Sequence, residues 1–326
     1  MQTSIRWGIL GTGNIAGQFA RGLGNASGSQ VVAVGSRSIE KAEAFALEYG
    51  IPHRHGSYAA VAQDPEVDVI YIATPHALHR DNTLMCLQSG KAVLCEKPLA
   101  IDEEQAREMI NLAQKRELFL MEAMWTWFLP PFVRLQQMLA DKLFGRVRFV
   151  SADFGFKMER NPAGRLFDPN LGGGSLLDVG IYPISLANMI LGRPVKASGE
   201  AIIGPTGVDE QAAIVLRYEN GALASLFSAI QTRTYQHAGV FGTEGYVHFG
   251  SHWWKGGPML VTVGEKTWRI EEPVVGNGYQ YEADEVARCL HAGKIQSDVV
   301  SWEHSLSVLN TMDRLRNLWG LKYPME

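Results

Sequence analysis

A glycine-rich turn close to the N-terminus constrains the fold of this chain more than any other feature. Gly11-Thr12-Gly13-Asn14-Ile15-Ala16 fits the pattern GxGxxG/A and directly follows the apolar run Ile5–Leu10, which is typical of a β-strand. The first glycine permits a tight turn, the second lets the backbone approach a pyrophosphate, and the small third residue lets the following helix pack closely on the strand. Because the amides of a helix N-terminus attract anions, this turn predicts a dinucleotide site formed by Gly11, Thr12, Gly13, Asn14 and Ile15.

The first third of the chain alternates apolar runs with helical spacing. The predicted strands are Ile5–Leu10, Val31–Gly35, Val67–Ala73, Ala92–Cys95 and Leu118–Met121, and the predicted helices are Asn14–Leu23, Glu40–Tyr49, His79–Gly90 and Asp102–Arg116. Near-continuous apolar strands separated by helices indicate a parallel sheet covered on both faces. We therefore predict an α/β Rossmann domain, a doubly wound parallel sheet, over residues 1–123.

The pattern changes after about Trp125. The predicted strands of the second part are Arg146–Phe154, Asp209–Tyr218, Ala222–Ile230, Gln236–Phe241, Tyr246–Phe249, Met259–Val263 and Thr267–Ile270, and its predicted helices are Tyr281–His291 and Trp302–Leu318. Asn220-Gly221 between two alternating runs favours a hairpin, and Pro130-Pro131 is expected to break any helix in the linker. Residues 124–326 are thus predicted to form an α+β domain with a large, mostly antiparallel, open-faced sheet.

Composition excludes several classes of protein. The chain has 326 residues, 46% of them hydrophobic, and a formal net charge of −4; nucleic-acid-binding proteins instead concentrate positive charge. No apolar run approaches the length of a membrane span and no signal peptide is visible, so no membrane partner is expected. The three cysteines, Cys86, Cys95 and Cys289, lack CxxC spacing and indicate inert, reduced thiols in a cytoplasmic protein.

The end of the second predicted strand bears on which dinucleotide is bound. Enzymes that use NAD usually place Asp or Glu there to bind the ribose hydroxyls, whereas this chain has Ser36 and Arg37, and its first acid is Glu40. A hydroxyl and a guanidinium suit a 2′-phosphate, so NADP is the predicted cofactor. An arginine that only stacks on adenine would be compatible with NAD, which stays possible.

A lysine follows the fourth predicted strand, in Cys95-Glu96-Lys97-Pro98. Ligands of open parallel sheets bind at the carboxyl ends of the strands, so Lys97 is expected beside the nicotinamide. A lysine after a strand is more often a solvated charge, but the apolar run before Lys97 and its neighbours Glu96 and Pro98 favour a role in the site.

A second chemical segment lies far along the chain. Gly172-Gly173-Gly174 lets the backbone come close to a ligand, and Asp178 and Tyr182 are four residues apart, which on a helix places both on one face. Removal of hydride from an alcohol carbon requires a group that accepts the hydroxyl proton. A tyrosine titrates near pH ~10, and a neighbouring ammonium lowers that value, so Lys97 and Tyr182 would form an acid/base pair. The alternative is that Tyr182 only packs and Asp178 caps a helix.

At these residues the sequence resembles the glucose–fructose oxidoreductase and inositol dehydrogenase family over essentially the whole chain. The motifs that carry the resemblance are Gly11–Ala16, Ala73–His79, Gly90–Pro98, Gly172–Tyr182 and Gly242–Gly245. Glu122–Thr126 and Leu176–Tyr182 are most similar to the branch of dimeric dihydrodiol dehydrogenases and sugar dehydrogenases.

The resemblance implies roles for further residues. It implies that Thr74, Pro75, His76, His79, Glu96 and Lys97 line the nicotinamide ribose, that Lys97 and Tyr182 do acid/base work near Asp178, and that Trp125 and Phe154 are walls of the substrate pocket. It also implies a homodimer through the open face of the second domain's sheet. Trp127 stands where the branch usually has arginine, so we expect it at the substrate site with an altered preference.

Two other patterns are set aside. His53 and His55 form HxH in a predicted loop with no third ligand nearby in the sequence, so no metal site is expected. Trp253-Trp254 could be a substrate wall or part of a dimer face, and a sheet-edge aromatic pair favours the interface.

The predicted function is oxidation or reduction at a secondary alcohol of a sugar, polyol or cyclic diol by NADP(H) or NAD(H). Two alternatives stay open: an enzyme that retains the cofactor and cleaves a glycosidic bond through transient oxidation, and a sensor that binds NADP(H) without catalysis. The intact set of Lys97, Asp178 and Tyr182 argues against the sensor.

Overall fold

The computed structural model describes residues 4–326, with fourteen strands and nine α-helices over that range. The strands are β1 (Ile5–Leu10), β2 (Ser29–Gly35), β3 (His53–His55), β4 (Val69–Ile72), β5 (Ala92–Glu96), β6 (Leu120–Ala123), β7 (Val147–Gly155), β8 (Lys196–Ile203), β9 (Asp209–Arg217), β10 (Leu223–Ala229), β11 (Ala238–Gly242), β12 (Gly245–Phe249), β13 (Met259–Val263) and β14 (Lys266–Ile270). The helices are α1 (Asn14–Leu23), α2 (Ile39–Tyr49), α3 (Tyr58–Gln63), α4 (His79–Gln88), α5 (Glu103–Arg116), α6 (Pro130–Ala140), α7 (Ile181–Leu191), α8 (Tyr279–His291) and α9 (Trp302–Trp319).

The chain divides into two compact units, and the division does not follow chain order. Unit 1 contains the described residues up to Ala100 together with Glu104–Phe128 and Val275–Ser305, and unit 2 contains Ile101–Glu103, Leu129–Val274 and Leu306–Glu326. The predicted division after residue 123 therefore differs from the compact units, because α8 packs against α1 in unit 1. The Asn277 side chain ahead of α8 donates a 2.7 Å hydrogen bond to the Gln18 carbonyl of α1.

Unit 1 contains a six-stranded parallel sheet in the order β3-β2-β1-β4-β5-β6. Every residue of β4 and β5 is buried, as expected for central strands covered on both faces by helices. The order reverses at β1 and β4, where the connections leave the sheet in opposite directions and open a crevice for a ligand. The predicted Rossmann domain is confirmed.

Unit 2 contains an eight-stranded sheet in the order β14-β13-β12-β11-β7-β10-β9-β8. All neighbours are antiparallel except β7 and β10, which run parallel. Residues along β9, β10 and β12 alternate between buried and exposed, and α7 packs against β7 and β10 on the buried face. The predicted mostly antiparallel α+β fold is confirmed.

Several local predictions were wrong. Pro130 and Pro131 do not break a helix but begin α6, because proline at the first helical positions lacks only an amide that has no partner within the helix. The edge strand β8, the helices α3 and α7, and the short strand β3 were not predicted. His53 and His55 therefore lie on β3, not in a loop.

Within residues 4–326, one stretch, Pro169–Leu191, is long and apolar enough to span a membrane. The expectation that no stretch reaches this length was wrong. However, 83% of the most apolar part of this stretch is buried inside the protein. Its apolar character is therefore that of a core helix.

Candidate active site

The glycine turn after β1 has the geometry that a pyrophosphate requires. Gly11 has φ of +104°, and a Cβ atom there would lie 2.7 Å from the carbonyl oxygen of Ala73, so only glycine fits. Gly13 directly precedes α1, and a Cβ atom there would point into open space. No side chain among the described residues caps the first amides of α1. Thr12 and Ile15 are half-buried, while Asn14 is exposed. Uncapped amides facing an open approach fit a phosphate group.

Ser36 and Arg37 follow β2 at the same edge of the sheet. Ser36 is buried, and its amide donates to the His55 carbonyl at 3.1 Å. Arg37 is exposed. Glu40 accepts a hydrogen bond from the Ser38 hydroxyl, which holds the pKa of that carboxyl below its usual range. The nearest acid is therefore engaged at the start of α2, and the end of β2 presents a hydroxyl and a guanidinium.

The segment after β4 is held by His79. Its Nδ1 lies 2.7 Å from the Pro98 carbonyl oxygen and its Nε2 lies 2.9 Å from that of Thr74. The imidazole is fully buried, and burial lowers its pKa. Both ring nitrogens face the protein backbone, so His79 fixes the Thr74 and Lys97 segments instead of presenting a free nitrogen to the cofactor. Thr74 is buried, and Pro75 and His76 are half-buried.

Lys97 follows β5 and is half-buried. Its amide donates to Glu96 Oε2 at 3.1 Å, and the Lys97–Pro98 peptide is cis. Glu96 also accepts a hydrogen bond from the Tyr71 hydroxyl. The Lys97 ammonium acts electrostatically on His79 and on buried Glu122, favouring the neutral form of the first and the ionised form of the second. Lys97 therefore lies at the carboxyl edge of the parallel sheet, as predicted.

A buried carboxyl on α8 has no counterpart in the sequence-based prediction. Glu282 is fully buried, and neither of its carboxyl oxygens has a hydrogen-bond partner among the residues the structure describes. Burial raises its pKa well above the usual range, and the charge of Glu96 raises it further. Glu282 is thus a carboxyl in the interior of unit 1 whose surroundings favour the neutral form over the ionised form.

This state predicts a pH-dependent effect of Glu282→Gln. A raised carboxyl pKa means that Glu282 supports the folded state below its ordinary pKa and loses that support as pH rises toward its folded value. The amide of glutamine does not ionise, so the variant does not lose stability in this way. We expect its free energy of unfolding at pH 7.5 to exceed that of the wild type by about 1–2 kcal/mol, with little difference between the two at pH 4. Urea unfolding at both pH values measures it.

Glu285→Gln, on the same helix, is the matched control. Burial alone would raise the pKa of Glu285, but hydrogen bonds from Arg288 and Ser297 bring it below its ordinary value. This substitution should therefore destabilise the protein at pH 7.5, with a loss that shrinks as pH falls. If both variants changed stability with the same sign and pH dependence, the neutral state of Glu282 would be ruled out.

In unit 2, Asp178 lies in a π-helical turn, Leu176–Gly180, which continues into α7 with Tyr182. The backbone turn at Asp178 is therefore wider than that of an α-helix, and such turns are frequent at functional sites. Asp178 is buried and accepts a 2.9 Å hydrogen bond from Arg165 Nη1. Arg165 was not predicted as a site residue; its loop carries no motif, and only the folded chain brings it to Asp178.

Tyr182 lies in an aromatic cluster with Phe154 and Trp254. The Phe154 and Trp254 rings are stacked with centroids 3.4 Å apart, and the Tyr182 ring lies 5.5 Å from Phe154 and 6.4 Å from Trp254. Trp253 is buried and donates from Nε1 to the Asp153 carbonyl. The tryptophan pair thus packs inside unit 2, with Trp254 beside Tyr182, and the expectation that it forms a dimer face was wrong.

Two of the three glycines before the π turn, Gly173 and Gly174, lie close to other groups of unit 2. A Cβ atom at Gly173 would lie 2.8 Å from the Leu166 carbonyl oxygen, and one at Gly174 would collide with the Asp209 carboxylate. Asp209 is fully buried and accepts hydrogen bonds from the Ser175 hydroxyl and the Leu176 amide, both at 2.7 Å. Gly173 and Gly174 therefore let the backbone approach Leu166 and Asp209, and the predicted approach to a ligand stays a prediction.

Trp125 and Trp127 lie in a single turn of 3-10 helix, Trp125–Phe128, in unit 1. Trp125 is 7% exposed and stacks on Tyr279 of α8, with ring centroids 5.0 Å apart. Trp127 is 2% exposed, so in this structure it is a core side chain. The convergence of Lys97 with Tyr182 and Asp178 stays a prediction, since the residues belong to different units.

A Rossmann unit with a phosphate turn, a lysine at its carboxyl edge and a second unit with a large open sheet define a nicotinamide-dependent oxidoreductase. Residues 5–124 match the oxidoreductase family with an NAD-binding Rossmann fold, and residues 132–248 match the GFO/IDH/MocA C-terminal domain. The chain belongs to the GFO/IDH/MocA oxidoreductase family, which confirms the resemblance found in the sequence.

Relatives and solved structures agree with this membership. The chain is 37% identical to trans-1,2-dihydrobenzene-1,2-diol dehydrogenase of Xenopus tropicalis, over 98% of this chain and 100% of that protein. It is 35% identical to the protein of the same name from Homo sapiens, over 99% of each. It is also similar to the structure of aldose-aldose oxidoreductase from Caulobacter crescentus, with a TM-score of 0.86 and 26% identity over 96% of this chain and 98% of that one.

Proposed function

We propose that this oxidoreductase interconverts a secondary alcohol and a carbonyl on a sugar, polyol or cyclic diol. The observation that carries the proposal is the half-buried Lys97 at the sheet edge that also bears the Gly11–Gly13 turn. When bound, the nicotinamide supplies the acceptor or donor of the hydride. In the direction of oxidation, the nicotinamide held at this sheet edge would take up the hydride, and Tyr182 accepts the hydroxyl proton, which leaves the carbonyl.

The chain's own residues divide the remaining work. In oxidation Tyr182 accepts the hydroxyl proton as a phenolate and becomes a phenol, and in reduction the phenol returns it; the Lys97 ammonium stabilises the phenolate form. Asp178, whose Oδ1 accepts the Arg165 hydrogen bond, orients substrate hydroxyls. Residues 1–123 provide the cofactor site in this proposal, and residues 124–326 provide Asp178, Tyr182 and the aromatic walls.

The substrate class is argued from the aromatic cluster. Phe154, Trp254 and Tyr182 form a buried aromatic cluster, and aromatic walls favour the carbon–hydrogen faces of a sugar or the ring of a cyclic diol. Relatives are named for a dihydrobenzene diol and for aldoses, which supports the same class. Trp125 contributes a further wall. Trp127 follows in the same turn of 3-10 helix and is part of the core.

NADP is the proposed cofactor, because the end of β2 offers a hydroxyl and an exposed guanidinium and its nearest acid is hydrogen-bonded elsewhere. We expect Arg37→Ala to raise the KM for NADP about 10–100-fold and to change the KM for NAD little, since a charge-assisted hydrogen bond contributes about 1.5–3 kcal/mol. Initial rates with each nucleotide measure this. Lys115→Ala on α5 is the control, and equal losses with both nucleotides would refute the assignment.

The open face of the unit 2 sheet is the proposed homodimer interface. Phe149, Phe241 and Tyr246 lie in register across β7, β11 and β12, with ring centroids 5.7 Å apart for each neighbouring pair. Val215 and Leu260 add exposed apolar side chains. An apolar patch on one face of a sheet is typical of an obligate interface. A cytoplasmic location is proposed from the three free, buried cysteines, whose pKa values are raised by burial.

The function is tested by a substrate panel. Purified protein is mixed with NADP, and separately with NAD, and with aldoses, inositols and cyclic diols, and the absorbance of reduced nicotinamide is followed. We expect turnover of at least one class, faster with NADP. No change in absorbance with any substrate of the panel and either nucleotide would contradict the proposal. Release of sugar from a glycoside without net change of the cofactor would instead identify the glycoside-cleaving alternative.

A further inference from the structure

Three side chains at the β3 edge of the Rossmann sheet point their ligand atoms at one another. Asp64 Oδ2 lies 2.7 Å from His53 Nδ1 and 3.0 Å from His55 Nε2. All three ligand atoms fall within 4.8 Å of one another. The cluster lies outside the residues assigned to the cofactor and substrate, and the sequence-based expectation of no third ligand was wrong.

The fold explains why the three residues meet. Residues two apart on a strand face the same side, so His53 and His55 lie on one face of β3. Asp64 is the residue that ends α3, and this helix returns the chain to β3. Because β3 is the edge strand, the imidazoles keep access to solvent, with side chains 35% and 25% exposed, whereas that of Asp64 is 4% exposed.

The surrounding groups hold these side chains in place. Asp64 Oδ1 accepts the Glu66 amide at 2.9 Å, which leaves Oδ2 directed at the histidines. His53 Nε2 lies 3.6 Å from Glu66 Oε2, so the far side of this ring faces a second carboxylate. A histidine that binds a metal through one nitrogen usually directs the other at a carboxylate or carbonyl in this way.

Positive charges lie close to the cluster but do not occupy its ligand atoms. The Lys91 ammonium donates to the backbone carbonyls of Asp64 and Val67, both at 2.7 Å. Arg6 is paired with Asp68 at 2.7 Å. The carboxylates of Asp64 and Glu66 offset the charge of an added cation, and Lys91 weakens its binding without competing for Asp64 Oδ2.

We propose that His53, His55 and Asp64 bind one divalent transition-metal ion of the zinc class, with water at the open position and Glu66 as the residue that positions His53. Two imidazole nitrogens and one carboxylate oxygen with a free fourth position form a typical zinc ligand set. Metal–ligand distances of about 2.0–2.2 Å in a tetrahedral site require the ligand atoms to separate to roughly 3.3 Å. That change is a few tenths of an ångström for His55 and somewhat more for His53, and partly exposed imidazoles can make it.

The ion would join β3 to the end of α3. His55 also accepts the Ser36 amide through its carbonyl oxygen, so the same strand supports the end of β2. The metal is therefore a structural clamp on the edge of unit 1, and its effect should appear in stability and not in the chemical step.

The test uses the full-length, tag-free protein stripped with a chelator and titrated with zinc chloride by calorimetry. We expect one zinc per chain, a thermal unfolding midpoint raised by roughly 3 °C, and binding weakened at least about tenfold by His53→Gln and by His55→Gln. His252→Gln, an exposed histidine in unit 2, is the matched control and should bind like the wild type. Far-UV circular dichroism confirms that the variants fold.

Cobalt(II) and Glu66→Gln supply independent readouts. Cobalt should give the visible absorption of a tetrahedral site, absent in Asp64→Asn. Glu66→Gln should weaken zinc binding about tenfold while the stoichiometry stays at one, as expected of a residue that positions a ligand. No zinc binding by the wild type, or equal binding by the wild type and both histidine variants, would overturn the proposal and leave the cluster as a hydrogen-bonded group alone.

Discussion

Replacing Tyr182 by phenylalanine is expected to lower kcat by about 10²–10⁴-fold, the usual contribution of a positioned general acid or base. Phenylalanine keeps the ring that packs 5.5 Å from Phe154, so the cluster should be preserved. The substitution removes only the hydroxyl group, which takes the substrate proton in the proposed reaction. Steady-state rates measure the effect, and fluorescence titration with NADPH should show nearly unchanged affinity for the nucleotide.

Tyr218→Phe is the matched control in the same unit. The Tyr218 hydroxyl is buried and donates to Asn188 Oδ1 at 3.1 Å, so its removal should lower stability by about 1 kcal/mol. Its effect on kcat should be small, because nothing assigns that hydroxyl to the reaction. If Tyr182→Phe retained at least half of the wild-type kcat, the phenol would not be the proton acceptor, and the alternative that Tyr182 only packs would be favoured.

Replacing Lys97 by methionine is expected to lower kcat by about 10³-fold or more, within the range of general acid–base catalysis together with the loss of charge stabilisation. Methionine keeps much of the length and apolar body of the side chain but removes the ammonium. Without that charge the phenolate of Tyr182 is less stable, so the pH profile of kcat should shift toward higher pH. The affinity for NADP should change little, since the pyrophosphate binds at the Gly11–Gly13 turn.

Lys115→Met controls for the loss of a lysine, because Lys115 lies in the last turn of α5 and is exposed. Lost turnover with retained nucleotide affinity in Lys97→Met would exclude the sensor, which has no need of an acid/base pair. Retained turnover would contradict the catalytic role of Lys97. Lost nucleotide affinity together with lost turnover would show that Lys97 acts first on cofactor binding.

The cofactor half of the site was largely predictable. The Gly11–Gly13 turn needs a particular backbone conformation and a close approach to Ala73, and a few adjacent residues encode both. Lys97 was also found, because the apolar run of β5 ends beside it. The role of His79 at the cofactor stays a prediction, and only the folded chain shows that both its nitrogens meet carbonyl oxygens.

Other parts of the site depend on residues far apart in sequence. Arg165 reaches Asp178 across thirteen positions, and Trp254 stacks on Phe154 across a hundred. No local pattern marks such pairs, because either partner alone is an ordinary loop cation or core ring. The glycines before the π turn are the opposite case. Their pattern was visible in the sequence, but the sequence did not show that they approach Asp209.

The sequence by itself determined the class of each sheet, the phosphate turn and the position of Lys97, because strand periodicity, glycine backbone freedom and helix N-termini are local properties. Tertiary structure alone decided that α8 joins unit 1, that burial raises the pKa of Glu282, and that Asp64 meets His53 and His55. These outcomes depend on which elements pack together and exclude water, and that is set by the whole chain.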